Sequence, residues 1–439
     1  MRRLVVLGAG TAGTVVANKL RRRLDRAQWG ITVVDRDDVH HYQPGYLFLP
    51  FGRYRPDDVL RSRHAYIPDG VELVLAAVDR VAPESNSVLL ADGRTLGYDY
   101  LVVATGVQPR PDQTPGLLGG EWRRSIHDFY TYDGALALAR ALAGFTGGRL
   151  VINVVDMPIK CPVAPLEFAF LADAFLGERG LRDRVELTYV TPLPGAFTKP
   201  VASAHLGGML EARRIGLETD FLLERVRDRT LVSYDQREVP FDLLVTVPLN
   251  MGADYVARSG LGDEMNYVPV DRRTLRSTAH ANIFAVGDAN DLPTSKAGSV
   301  AHFSADVVVE NMLSAIRGLP LRASFDGTPT ASSSPGTARA CSSTSTTTLS
   351  RCRGSTRCRA SVRSACSPRP GSTTSASSGS AGRTGTCCCP AGRCRCRRGC
   401  PWPARSATPC PCRPRGGDSP PCPSPPSTAV GCRSTRGAS

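Results

Sequence analysis

Short, uninterrupted apolar runs separated by segments of helical period set the plan of residues 1–327. Leu4-Val5-Val6-Leu7 is such a run, of the kind buried on both faces of a parallel sheet. A turn, Gly8-x-Gly10-x-x-Gly13, follows it, and apolar positions at Val16, Ala17 and Leu20 predict a helix. Ile31-Thr32-Val33-Val34 predicts a second strand that closes on Asp35. Further runs at 100–103, 150–155 and 283–286 predict strands. Two longer patterns predict helices, one from near Pro165 through Phe168, Leu171 and Phe175, the other past Gly298 through Val300, Val307, Val308 and Met312 to a stop at Gly318. Strands alternating with helices in this way predict an α/β fold with parallel sheets.

The pattern ends at Gly327. From Thr328 to Ser439 the chain carries 17 Arg, no Lys, one acid (Asp418) and 14 of its 15 Cys, with no Phe, Tyr, Ile, Met, Asn, Gln, His or Glu. This low-complexity tail has a net charge of +16, whereas residues 1–327 hold 37 basic and 39 acidic side chains, a net −2. The basic balance of the whole chain therefore belongs to the tail, and no nucleic-acid partner is expected for the folded part. With so few branched apolar side chains the tail cannot offset the entropy of ordering, so residues 328–439 are expected to be disordered. Its cysteines come with no His and no core-forming pattern, and no metal site is expected. Thr328 to Ser334 is what codons for His-Ala-Asn-Cys-Phe-Ile-Glu yield when read one base late, which points to an out-of-frame tail from a GC-rich gene. Residues 1–327 hold one cysteine, Cys161, which excludes a disulfide-stapled secreted scaffold. No apolar run reaches about 18 residues and no signal segment precedes the first strand, so the expected location is cytoplasmic, at most bound to a membrane surface.

The glycine turn carries specific chemistry. Its first glycine permits the turn, its second lets a pyrophosphate approach the backbone, and its third lets helix and strand pack closely, with the helix N-terminus facing the phosphates. Asp35 suits a ribose hydroxyl. Tyr100-Leu101-Val102-Val103-Ala104-Thr105-Gly106 and Ile283-Phe284-Ala285-Val286-Gly287-Asp288 return to the same sheet, the carboxylate of Asp288 suiting a ribityl hydroxyl or phosphate-bound water. These three motifs, in this order, resemble the two-dinucleotide-binding-domain flavoproteins, the pyridine nucleotide-disulfide oxidoreductase class. The resemblance runs to about Gly327. It implies two interleaved Rossmann-type domains: FAD-binding over 1–112, a second domain with a degenerate nucleotide motif over 113–242, and the return of the FAD domain over 243–327. It also implies that Gly8, Gly10, Gly13 and Asp35 hold the adenosine diphosphate half of FAD, while Thr105, Gly106, Gly287 and Asp288 close over the cofactor.

In members that use NAD(P)H, a second glycine-rich turn follows the strand opening the second domain. Here Leu150 to Val155 runs instead into residues 156–167, which hold three prolines and no glycine, so no tight nicotinamide nucleotide is expected. Cys161 stands in that turn, beside Lys160 and before a helix. Both neighbours favour thiolate, and a lowered thiol pKa is expected of it. Lys160-Cys161-Pro162-x-x-Pro165-Leu166-Glu167 resembles the sulfide:quinone oxidoreductases. That resemblance implies Cys161 as the residue taking up sulfide sulfur, Glu167 as the acid beside it, and the loop from His40 to Gly45, Pro44 included, as a cover over the flavin. His40 and His41 themselves read as surface residues. It further implies that Lys296, before the last helix, stabilises the anionic reduced flavin.

The implied function is an FAD-dependent oxidoreductase passing two electrons from sulfide, through Cys161 and FAD, to a quinone. Relatives pair two cysteines across the flavin and use C-terminal apolar helices at the membrane surface and quinone pocket; this chain shows neither in the residues as they stand. In the shifted reading the partner cysteine falls where Ala331 is found. Two other readings stay open: a flavoenzyme like the type II NADH:quinone dehydrogenases, and a non-catalytic FAD-binding redox protein in which Cys161 only packs. The sequence sets no oligomeric state.

Overall fold

The computed structural model of the chain describes residues 1–325 together with Thr386–Cys389 and Gly392–Arg395. In chain order, β1 (Arg2–Leu7), β2 (Trp29–Asp35), β3 (Glu72–Leu75) and β4 (Tyr100–Val103) build a first sheet. A second is built by β5 (Ile126–His127), β6 (Gly148–Val154), β7 (Val185–Val190), β8 (Ile215–Glu218) and β9 (Leu243–Val247), after which β10 (Ile283–Ala285) returns to the first. Every ladder in both sheets is parallel, in the orders β10-β4-β1-β2-β3 and β5-β9-β6-β7-β8. Parallel neighbours need crossovers, which α1 (Thr11–Arg21), α2 (Tyr132–Gly144), α3 (Ala164–Glu178) and α4 (Pro200–Ala212) supply, and α5 (Gly298–Ile316) closes the first sheet. This is the α/β fold with parallel sheets that the strand and helix pattern predicts, in the two Rossmann-type sheets that the family resemblance implies.

Each sheet is covered by its own helices. In the first, Leu4, Val6 and Leu7 of β1 are buried with Val16, Ala17 and Leu20 of α1 and Val308 and Met312 of α5. In the second, Leu150, Ile152 and Val154 of β6 pack with Phe168, Ala169, Ala172 and Leu176 of α3. The same core takes in Leu47, Leu49 and Phe51, from the loop that follows β2. The Phe51 ring lies 5.0 Å from that of Phe168 and 5.6 Å from that of Phe175, so this loop is anchored in the neighbouring domain.

The chain leaves the first domain along Val107–Pro109 and returns along Asn250–Gly252; the two segments pair antiparallel, Val107 opposite Gly252 and Pro109 opposite Asn250. The return therefore begins near residue 250 and not at 243. β9 belongs to the second sheet, where Leu244 pairs with both Ile126 and Val151. Its sequence, Leu-Leu-Val-Thr-Val, is apolar but for Thr246 and suits either sheet equally, which is why the pattern alone misplaces it.

Expectations for residues 328–439, both the disorder and the out-of-frame reading, lie outside the described residues, except that Thr386–Cys389 and Gly392–Arg395 pair as antiparallel strands. Among the described residues no helix is long and apolar enough to cross a membrane.

Candidate active site

The chain turns at the end of β1 through Gly8, whose φ of +99° lies in the left-handed half of backbone space. A Cβ at Gly8 would stand 2.5 Å from the Ala104 carbonyl oxygen, and one at Gly13 only 1.8 Å from the Gly8 oxygen. Gly10 differs, because nothing lies within 4 Å of where its Cβ would be. It N-caps α1 with no side-chain cap, and the first turn of α1 contains no acid. The helix thus presents unpartnered N–H groups and its positive end to an open side, which fits the diphosphate of a dinucleotide.

Asp35, at the end of β2, accepts from the Ala9 N–H at 2.7 Å and the Arg36 N–H at 2.8 Å, and pairs with Arg63 at 3.1 Å. A carboxylate offers about four acceptor positions, so room remains for a ribose hydroxyl. The loop that follows folds back on this turn. The His40 ring nitrogen Nδ1 lies 3.2 Å from the Ala9 oxygen and its ring packs at 4.8 Å, tilted by 45°, against Tyr66, while His41 sits among the rings of Tyr46 and Tyr132. Both histidines are half-buried and burial holds both below the usual imidazole pKa, so they are not the surface residues the sequence indicates. Pro44 lies exposed in the turn Gln43–Leu47.

The two later motifs close the same end of the first sheet. Gly106 has φ +66° with open space around it, and the Thr105 hydroxyl lies 3.2 Å from that of Tyr255. Gly287, at φ +69°, is squeezed between Ala12 and Ala301: a Cβ there would lie 3.1 and 3.3 Å from theirs. The N-termini of α1 and α5 therefore meet on this one glycine, and neither has an acid in its first turn. Asp288 follows, half-buried; burial raises its carboxyl pKa against the opposing fields of Lys296 and Lys160. An open helix N-terminus, a glycine cradle and a carboxylate in the field of two lysines fit the FAD expected here.

Cys161 lies in the turn between β6 and α3, and the structure joins that turn to the return segment. Lys160 and Lys296 form a parallel bridge, and the Cys161 N–H donates to the Lys296 oxygen at 2.6 Å. The Cys161 carbonyl accepts from the Tyr130 hydroxyl at 3.1 Å and from the Ala164 N–H at 3.0 Å. These bonds hold Cys161 at φ +51°, a left-handed conformation that costs a residue with a Cβ about 1–2 kcal/mol. Its side chain reaches solvent, yet protein surrounds it on most sides. Burial pushes the thiol up to about 11, and the Glu167 carboxylate adds to the rise.

The expected lowering of that thiol pKa is thereby overturned. The N–H groups of Ala164 and Val163 at the start of α3 do pull it down, but less than desolvation and the carboxylate push it up. The Lys160 ammonium donates to the Gln43 side-chain oxygen at 2.9 Å, not to the thiol. Glu167, in the first turn of α3, is itself raised by burial. The pKa values of thiol and carboxyl are thus both raised, and the negative charge of Glu167 acts on the thiol. Lys296 is only 4 % exposed; its ammonium donates to the Asn290 oxygen and stands 4.4 Å over the Tyr267 ring. Tyr130, Asn250, Tyr255 and Tyr267 carried no sequence signal. Asn250 accepts the Lys160 N–H at 3.2 Å through its side chain and the Tyr267 hydroxyl at 2.9 Å through its carbonyl, a role visible only once the domains are assembled.

Residues 2–155 match the family described as pyridine nucleotide-disulphide oxidoreductase. The chain is 29% identical over 334 residues to the mitochondrial sulfide:quinone oxidoreductase of Dictyostelium discoideum, covering 74% of this chain and 73% of that protein. It is 25% identical over 332 residues to the mouse (Mus musculus) protein of the same name, with the same coverage of each chain. The crystal structure of the sulfide:quinone oxidoreductase from Aquifex aeolicus superposes with a TM-score of 0.63 at 20% identity, over 73% of this chain and 78% of that one.

Proposed function

We propose that this chain, an FAD-dependent oxidoreductase of the pyridine nucleotide-disulphide oxidoreductase class, takes electrons from sulfide at Cys161 and delivers them to a quinone. One observation carries the reading. The only cysteine of residues 1–325 belongs to the second domain, yet its N–H is bonded to Lys296, in the segment leading from Asp288 into α5. That bond ties the thiol turn to the segment between Asp288 and α5, and in this reading the turn borders the cofactor site of the other domain.

When bound, FAD supplies the two-electron acceptor. The residues supply the rest: Gly8, Gly10 and Gly13 admit the diphosphate, and Asp35 orients a ribose. Cys161 forms a sulfur–sulfur bond with the incoming sulfide. For a thiol and hydrogen sulfide the balance is one Cys161 persulfide, two protons and two electrons. Glu167 takes up one of those protons, a role its raised pKa suits because it then binds and releases a proton nearer neutrality. A lipid-borne quinone brings the chain to a membrane surface, which it meets without a spanning helix among the described residues.

Anaerobic bleaching of the bound flavin tests this. Sulfide is expected to bleach the wild type and to fail with Cys161→Ser, while NADH bleaches neither. Rapid bleaching by NADH would favour a dehydrogenase, and bleaching by neither reductant a non-catalytic flavoprotein.

A further inference from the structure

Two lysines of the site are built alike. The Lys160 ammonium donates to the Gln43 side-chain oxygen and lies 5.9 Å from the Tyr130 ring centre; the Lys296 ammonium donates to the Asn290 oxygen and lies 4.4 Å from that of Tyr267. Both are thus held by a neutral oxygen and an aromatic face, and their backbones are bridged to each other. Among the described residues neither forms a salt bridge. Burial lowers the pKa of both lysines; the field of Asp288 opposes this at both, that of Asp128 at Lys160, and those of Asp291 and Asp263 at Lys296. Of the remaining acids that act on them, Asp128 is paired with Arg123 at 2.8 Å, and Asp291 accepts the Val270 N–H; Asp263 accepts from Met265 and Tyr267 N–H groups. Partly desolvated ammonium groups are costly without an anion to meet. Among the described residues the hydrogen bonds of the two ammonium groups run to the Gln43 and Asn290 oxygens, and none runs to the Cys161 sulfur.

We propose that Lys160 serves the cofactor and not the thiol: with Lys296 it forms a pair of ammonium groups that favours the negatively charged, reduced isoalloxazine. Two-electron reduction with uptake of one proton leaves the ring with one additional negative charge, which a pair of ammonium groups stabilises. Gln43, on the loop that contains Pro44, holds the Lys160 ammonium through its side-chain oxygen. The inference rests on FAD occupying the site, but not on sulfide being the reductant.

The midpoint potential of the bound flavin, titrated against a reference dye, reads the effect directly. Lys160→Met is expected to bind reduced relative to oxidised flavin about tenfold less tightly, a shift of about 30 mV to more negative potential for two electrons. Lys296→Met is expected to move in the same direction, and Lys160→Arg to stay near the wild type. If Lys160→Met loses the flavin, Lys160→Gln, neutral but polar, takes its place. Site-resolved alkylation of Cys161 is the second measurement, and its pH midpoint is expected to be unmoved by Lys160→Met. An unchanged potential together with a raised alkylation midpoint would assign Lys160 to the thiol and overturn the proposal. A wild type that binds no flavin would overturn it along with the proposed function. Sulfide bleaching that survives Cys161→Ser would remove only the latter.

Discussion

A Cβ at Gly13 has nowhere to go, whereas one at Gly10 meets open space, and the contrast separates folding from cofactor binding. Gly13→Ala is expected to destabilise the apoprotein by about 1–3 kcal/mol through overpacking, seen as a lower urea midpoint. Gly10→Ala is expected to leave that midpoint in place and to weaken FAD, seen by flavin titration. The thiol has its own signature. Since burial and Glu167 raise its pKa to about 11, alkylation of Cys161 by iodoacetamide should be slow at neutral pH and rise towards that value. Glu167→Gln removes a negative charge, so the midpoint should fall; site-resolved mass spectrometry is needed because 14 further cysteines follow. The glycine spacing was legible because a close backbone approach leaves its mark in residue type. The thiol pKa was not, because a sequence displays chain neighbours such as Lys160 and hides desolvation.

The elements that position the site are held across domains. The loop ending at Phe51 is anchored between Phe168 and Phe175, and Phe51→Ala is expected to cost about 3–5 kcal/mol in urea unfolding. Tyr130→Phe removes one hydrogen bond from the turn that keeps Cys161 left-handed, at about 1 kcal/mol. Elements with a continuous apolar signature could be read directly: β1, β2, α3 and α5 follow from their patterns, and Gly318, at φ +68°, ends α5 as expected. β5 could not, being two residues long, and β9 could be placed in neither sheet by its pattern. The folding back of His40 and His41 was equally hidden, because it depends on the distant Ala9 and Tyr132.

At the scale of the molecule, charge is divided unevenly along the chain. Residues 1–327 carry −2 and the remainder +16, so a protein ending at Gly327 should pass through a cation exchanger at neutral pH that retains the full chain. The order of strands has another consequence. β4 is flanked by β1 on one side and by β10 on the other, and all five strands of the second sheet lie between them in the chain. On the ribosome, then, the second sheet is complete once Val247 has emerged, while the open edge of β4 still waits for Ile283. At about 5–20 residues per second the delay from Val103 to Ile283 is on the order of ten seconds or more. For that interval the nascent first domain exposes an unpaired edge beside an unfinished cradle. Capture of the flavin is therefore a late event in biosynthesis, and the newborn chain needs shelter from edge-to-edge association until it occurs.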